Sequence, residues 1–256
     1  KSSLMFCGII PILHGGFIAK AGTDWEIVKT RPGNNPVWNL ALNMADVYAP
    51  EEKNNRTAKL IYSILKRSSN GISEVYKIFG RTKNILILLD QFEELFRFNK
   101  TSEYNANETL AYVKLIQKAV EQDEYPLYFV MTMRSDFIGD CSKYQELTGL
   151  INNSHYLIPQ MTRDDLAQAI QGPIAVAGGN ISKRFLHRLL NEVGEKNDQL
   201  PILQHALMRS WDNWEKFSSS KDVLDISHYE AIGTMELALS IHANEAFDEL
   251  STEDKV

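Results

Sequence analysis

With 256 residues, of which 44% are hydrophobic and 23% charged, the chain has the composition of an ordinary soluble globular protein and enough length for one large domain or a domain with smaller lobes. A formal charge of -6 argues against a broad nucleic-acid-binding face, which must be basic, but leaves room for a local phosphate pocket. No apolar stretch approaches the ~18 residues of a membrane span, and no run has the form of a secretory leader, so a cytoplasmic location is expected.

Residues 1–13 read as a helix that ends in the glycine turn His14-Gly15-Gly16. Its opening, Lys1-Ser2-Ser3-Leu4, has the form of the last residues of a phosphate-binding loop, G-x-x-x-x-G-K-[ST]. In that motif the lysine reaches the terminal phosphates and the next hydroxyl ligates Mg²⁺. The glycines that make the motif specific are not in the sequence and are expected immediately before Lys1. Cys7, among Leu4, Met5, Phe6 and Ile9, is expected in the core. With Cys141 as the other cysteine, far away in sequence, a disulfide or metal framework is not expected and a reducing compartment is the simpler reading.

Trp25 to Lys29 reads as a short strand leading into the turn Arg31-Pro32-Gly33-Asn34-Asn35-Pro36. A helix follows around 36–48, then a polar helical segment to Phe79-Gly80. Ile85-Leu86-Ile87-Leu88-Leu89 is a strand buried on both faces, as in the middle of a parallel sheet. It delivers Asp90 to its carboxyl end, where open α/β sheets place their ligands. Glu93 and Glu94 follow at once. Three carboxylates so close favour a cation, and in nucleotide-hydrolysing proteins that cation is Mg²⁺, which takes one or two carboxylates plus phosphate oxygens. The same run also fits an ordinary strand followed by an acid-rich helix start, because carboxylates suit a helix N-terminus. Lys1 and Ser2 followed by a strand-end aspartate at this distance make the nucleotide reading the stronger one.

A polar loop is expected from Asn99 to Asn107, a helix around 108–122, a strand at Leu127 to Met131, and a last strand at His155 to Ile158. Strands alternating with helical segments give a parallel three-layer sheet. Beyond Pro159 the pattern becomes helical: 164–170, 182–193 and 201–217, punctuated by Gly172-Pro173, Gly178-Gly179 and Gly194. A loop is expected at 218–221, and a last helix around 235–250 runs into a cap at 251–254. The first residue falls inside a motif and the last begins an unfinished helix, so the polypeptide is expected to continue at both ends.

In this order, the motifs resemble the signal-transducing NTPases with numerous domains, the STAND class, and within it the bacterial novel STAND group, related to NACHT and NB-ARC proteins. Lys1-Ser2-Ser3-Leu4 with Gly8-Ile9-Ile10-Pro11 is similar to that family's G-K-S-S-L…G-L-L-P. Thr30-Arg31-Pro32-Gly33…Pro36 is similar to its R-P-G-x-x-P turn, Leu88 through Phe96 to its extended Walker B, and Met131 through Phe137 to its T-x-R-x-D-F strand. Pro159-Gln160-Met161-Thr162, Gly172-Pro173, Leu200 through Leu207 and Tyr229 through Ala243 extend the likeness over nearly the whole chain. Two departures stand out: the glycine loop is not in the sequence, and Gln91 occupies the place where many AAA+ ATPases carry a glutamate.

The resemblance implies a P-loop NTPase α/β core over residues 1–158, a helical lobe over 159–225 and the start of a winged-helix lobe over 226–256. It implies ATP or ADP with Mg²⁺ as cofactors, with Lys1, Ser2 and Ser3 on the phosphates, and Ser2 and Asp90 on the metal. Glu93 or Glu94 would position the attacking water and Arg134 would sense the γ-phosphate. Pro201, whose residue type is also natural at a helix start, would lie near the adenine. The implied function is a slowly hydrolysing switch that couples a sensor to an effector in flanking domains through nucleotide-dependent opening and self-association. An AAA+-type motor acting on DNA or protein, and a non-hydrolysing scaffold, are the alternatives that the residues leave open.

Overall fold

A strand of five aliphatic residues needs apolar cover on both faces, and the first part of the molecule is arranged to supply it. The computed structural model describes residues 2–17, 22–52, 55–80, 83–97, 103–194, 199–217 and 223–249. The chain forms two compact units, Lys1–Ile158 and Pro159–Val256.

The first unit opens with a continuous helical run: α1 (Ser2–Leu4), a π-helical stretch (Met5–Ile9) and α2 (Ile10–His14). Pro11 accounts for the π segment. A proline has no N–H to give the carbonyl one turn back and crowds that carbonyl with its ring, and here the preceding amide, of Ile10, bonds to Met5 instead, five residues back. Met5, Ile10 and Leu13 face the sheet. Cys7 is exposed, which corrects the expectation of a core position: it lies off the face that carries those three residues.

Three parallel strands follow, β1 (Trp25–Thr30), β2 (Asn84–Leu89) and β3 (Leu127–Met131), with β2 in the middle. Side chains alternate between faces along a strand. Ile85, Ile87 and Leu89 therefore enter one core with Val28 and the helices α3 (Pro36–Tyr48), α4 (Arg56–Arg67), α5 (Gly71–Phe79) and α7 (Glu103–Glu121), α6 (Glu94–Arg97) being a single turn after β2. Leu86 and Leu88 enter the other with the N-terminal run and Trp25. The result is the α/β three-layer arrangement read from the sequence, mostly helical around a short parallel sheet. α7 begins at Glu103, so part of the expected polar loop is helix; residues 99–102 of that loop lie outside the described residues.

The strand expected at His155 to Ile158 does not form. After a 3₁₀ turn (Ser135–Phe137), α8 (Ile138–Cys141) and α9 (Gln145–Ser154), these residues leave the helix without ladder partners. Residues of β3 and His155 to Ile158 both contribute to the lining of an apolar groove of about 560 Å³. Tyr156 and Leu157 are exposed.

The second unit packs α10 (Arg163–Val176), α11 (Lys183–Val193), α12 (Leu200–Phe217), α13 (Ile226–Ala231) and α14 (Thr234–Glu249) around Ile170, Phe185, Leu189, Ala206 and Tyr229. Thr162 and Asp165 form a capping box at the start of α10. Gly172-Pro173 does not end this helix, as expected from the sequence, but sits inside it; the helix stops at Gly178, whose φ of 84° suits a residue without a Cβ. A parallel bridge between Ile181 and Leu224 and the ion pair of Arg184 with Asp225 tie the last part of the chain to the start of α11. The loop expected at 218–221 and the cap expected at 251–254 fall outside the described residues. Among the described residues no helix is long and apolar enough to cross a membrane.

Gly71 starts α5 only a short turn after α4, and a Cβ there would stand 2.7 Å from the Leu65 Cα and 3.0 Å from the Ile64 carbonyl oxygen. Backbone cannot yield as a side-chain tip can. Gly71→Ala is expected to destabilise the first unit by about 1–3 kcal/mol, read as a lowered urea midpoint; an unchanged midpoint would show that the α4–α5 approach is not tight.

Candidate functional site

Strand register decides which residues meet at the carboxyl end of the sheet. Thr30 pairs with Leu89 and Leu89 with Met131. The next residues along the three chains, Arg31, Asp90 and Thr132, therefore form one row just beyond the ladder. Backbone bonds extend the row: Asp90 N donates to Thr30 O and Thr132 N to Leu89 O, each at 2.9 Å.

Asp90 is the centre of this row and is 2% exposed. Its Oδ1 accepts from the Ser2 hydroxyl at 2.5 Å and from the Thr132 hydroxyl at 2.6 Å. Its Oδ2 faces Arg31, whose Nε and Nη2 both stand at 3.3 Å. Burial by itself raises a carboxyl pKa. The hydroxyls of Ser2 and Thr132 and the Arg31 charge outweigh it and hold Asp90 below the usual aspartate range. The Thr132 Oγ1 also accepts from Gln91 N at 3.2 Å, so this buried hydroxyl is fixed from both sides.

Gln91 takes φ 54°, a left-handed conformation that a non-glycine residue holds only against strain and that gathers at functional sites. The turn lifts the chain off the sheet and brings the next two carboxylates back beside it. Glu93 is buried and its Oε2 lies 3.4 Å from Arg134 N. The Glu94 Oε2 accepts from Gly33 N at 3.0 Å, inside the Arg31-Pro32-Gly33 turn. Asn39 closes that turn from the other side, donating to Pro32 O at 2.9 Å.

Of the residues singled out from sequence, Ser2, Asp90, Glu93 and Glu94 thus gather at the carboxyl end of β2. Ser3 is exposed on the helix start. Arg134 joins through its backbone N–H, whereas its guanidinium is exposed and pairs with Asp136 at 2.6 Å. Pro201 is exposed in the first turn of α12, in the second unit. Lys1 lies outside the described residues. Arg31 and Thr132 were quoted within motifs but given no role by the sequence. The signal that would have found them is their place as the first residue past β1 and β3, level with Asp90.

The donors suit a hard divalent cation: a hydroxyl and a carboxylate, both oxygen, with no hydroxyl on Oδ2 among the described residues. Among the described residues, no three His, Cys, Asp or Glu side chains form a metal-binding group. Compared with protein-family models, the whole chain, residues 1–256, matches the family described as Novel STAND NTPase 1. No curated protein matches it.

Thr132→Val keeps the shape of the side chain and deletes the hydroxyl. A carboxylate with a depressed pKa contributes stability above the ordinary aspartate value of about 3.9 and loses that contribution as pH falls toward its folded pKa. The variant is expected to titrate Asp90 at higher pH, followed by the carboxyl ¹³C signal. Its loss of stability should be largest at neutral pH and fade in acid; an unchanged Asp90 titration would mean that the Thr132 hydroxyl does not hold the charge.

Proposed function

Because the chain belongs to the Novel STAND NTPase 1 family, we propose that it is an ATP-binding, slowly hydrolysing switch module. The observation that carries this reading is Ser2 Oγ held 2.5 Å from Asp90 Oδ1 at the carboxyl end of a buried parallel strand. A hydroxyl at a helix start and a strand-end carboxylate in contact are the pair that a Mg²⁺-nucleotide site needs. Lys1, one residue before Ser2, would place an ammonium on the phosphates, and the helix start would add backbone N–H groups. Bound at Ser2 and Asp90, Mg²⁺ would neutralise phosphate charge and polarise the phosphoryl group being transferred.

The remaining roles follow from position. Glu93 and Glu94 are the carboxylates next to Asp90, and one of them would orient the attacking water. Both hold a backbone N–H of a neighbouring loop, so orienting water would mean giving up or sharing that bond. Slow hydrolysis is the expected consequence, and it suits a switch. Arg134 would release Asp136 to reach the γ-phosphate, and Ser3 would add a second hydroxyl at the phosphates. Pro201, at the start of α12, would contact the base and make the second unit sensitive to the nucleotide. Residues 226–256 would begin a winged-helix lobe, and flanking sensor and effector domains with self-association would complete the signalling path in the cytoplasm. Moving such a switch from 1:99 to 99:1 takes about 5.5 kcal/mol of differential binding, which nucleotide contacts in two units together with a trigger would supply.

The protein is expected to bind ATP or ADP in a Mg²⁺-dependent way, measured by calorimetry or with a fluorescent analogue. Lys1→Ala should weaken that binding by roughly 10- to 100-fold, the size of a lost charge-assisted contact. Parental affinity in the variant would remove the phosphate-loop reading. For the switch, hydrogen exchange should show added protection on ADP binding both near Asp90 and from Leu200 to Leu207. Protection confined to the first unit would leave the nucleotide site standing but deprive the switch of its mechanism.

A further inference from the structure

The two oxygens of Asp90 are held very differently, and the difference points to a role for Arg31. Oδ1 accepts two short hydroxyl bonds, from Ser2 at 2.5 Å and Thr132 at 2.6 Å. Among the described residues Oδ2 receives the guanidinium alone, and both of its nearest nitrogens, Nε and Nη2, reach that one oxygen at 3.3 Å. An arginine matched to a carboxylate uses two parallel bonds to two oxygens, at about 2.7–2.9 Å. This contact is longer and converges on a single oxygen. The Arg31 side chain is 57% exposed against 3% for Asp90, so the pair is screened by solvent and easily exchanged. It nevertheless meets a real need, because a buried carboxylate left without a positive partner is strongly unfavourable.

We propose that Arg31 is an exchangeable counter-ion: it neutralises Asp90 while the site holds no divalent cation, and moves from Asp90 to the nucleotide phosphates when the cation and nucleotide bind. The proposal rests on the reading of this site as a Mg²⁺-nucleotide site. A guanidinium and a divalent cation cannot both occupy the open side of Oδ2, since their charges repel. The turn that carries Arg31 does not have to move with it. Gly33 N is held by Glu94 at 3.0 Å and Pro32 O by Asn39 at 2.9 Å, and Pro32 is buried. Only the side chain swings, about a fixed stem at the carboxyl end of the sheet. Its planar, multiply donating head then suits phosphate oxygens as well as it suits a carboxylate.

Exchange of this kind has a signature that a purely structural salt bridge lacks: removing Arg31 should move two affinities in opposite directions. Without its competitor, Asp90 should bind a divalent cation more tightly in the absence of nucleotide, while the Mg²⁺-nucleotide complex loses a phosphate contact. The test uses Mn²⁺ alone, followed by its paramagnetic resonance signal, and a fluorescent ATP analogue with Mg²⁺, on the parent, Arg31→Gln, Arg31→Lys and Asp90→Asn. Arg31→Gln is expected to bind Mn²⁺ about tenfold more tightly and the nucleotide about tenfold more weakly, the size of one charge-assisted bond. Arg31→Lys should keep much of the nucleotide affinity as a point charge, and Asp90→Asn should abolish the Mn²⁺ signal. Unchanged Mn²⁺ affinity in Arg31→Gln, or Mn²⁺ and nucleotide weakening together, overturns the exchange while leaving the nucleotide site in place. A parent that binds neither Mn²⁺ nor nucleotide overturns both the exchange and the reading beneath it.

Discussion

A carboxylate buried at the end of the central strand governs the arrangement around it. Asp90 is 2% exposed, and ionised carboxylates are not tolerated at that depth unless hydrogen bonds and a positive charge surround them. Ser2, Thr132 and Arg31 meet that requirement from three separate stretches of chain: the N-terminal helix, the end of β3 and the end of β1. Together they compensate a charge that no single one of these stretches could hold alone. The requirement links the placement of these stretches to one buried charge.

The two glutamates that follow extend the same logic to the loops. Each Oε2 meets a backbone N–H, Glu93 that of Arg134 and Glu94 that of Gly33. The left-handed Gln91 makes both contacts possible by turning the chain directly after Asp90. A glutamate in place of Gln91 would add a fourth carboxylate to a cluster that already contains three. The neutral amide there is electrostatically reasonable, and it leaves any catalytic carboxylate two or three residues further along, already tied to a neighbouring loop.

The second unit follows a separate principle. Its helices are capped and clipped by local polar contacts, among them the Thr162–Asp165 box and the hydrogen bond from Ser182 to Asp225. Arg184 beside Asp225, with the Ser182 hydroxyl, holds that carboxyl far below the usual range despite partial desolvation. These contacts give the unit its own core and its own polar fastenings.

Much of this was legible in the amino-acid order. The unbroken aliphatic run from Ile85 to Leu89 gave a strand covered on both faces, the Pro36 helix began and ended where its pattern indicated, and Asp90 stood at a strand end because the apolar run stopped there. Where sequence reading failed, it failed for lack of long-range information. His155 to Ile158 has the composition of a strand but joins no ladder of the sheet. Cys7 has apolar neighbours but sits off the buried side of its helix. Arg31 and Thr132 were visible as motif letters, yet nothing in their local pattern put them beside Asp90. Periodicity tells which face of a strand a side chain takes, because that is a property of the backbone. It does not tell which residue of another strand lies alongside, since register is set by how distant segments pack against a shared core. Here the pairing of Thr30 with Leu89 and Leu89 with Met131 turned three separate residues into one site.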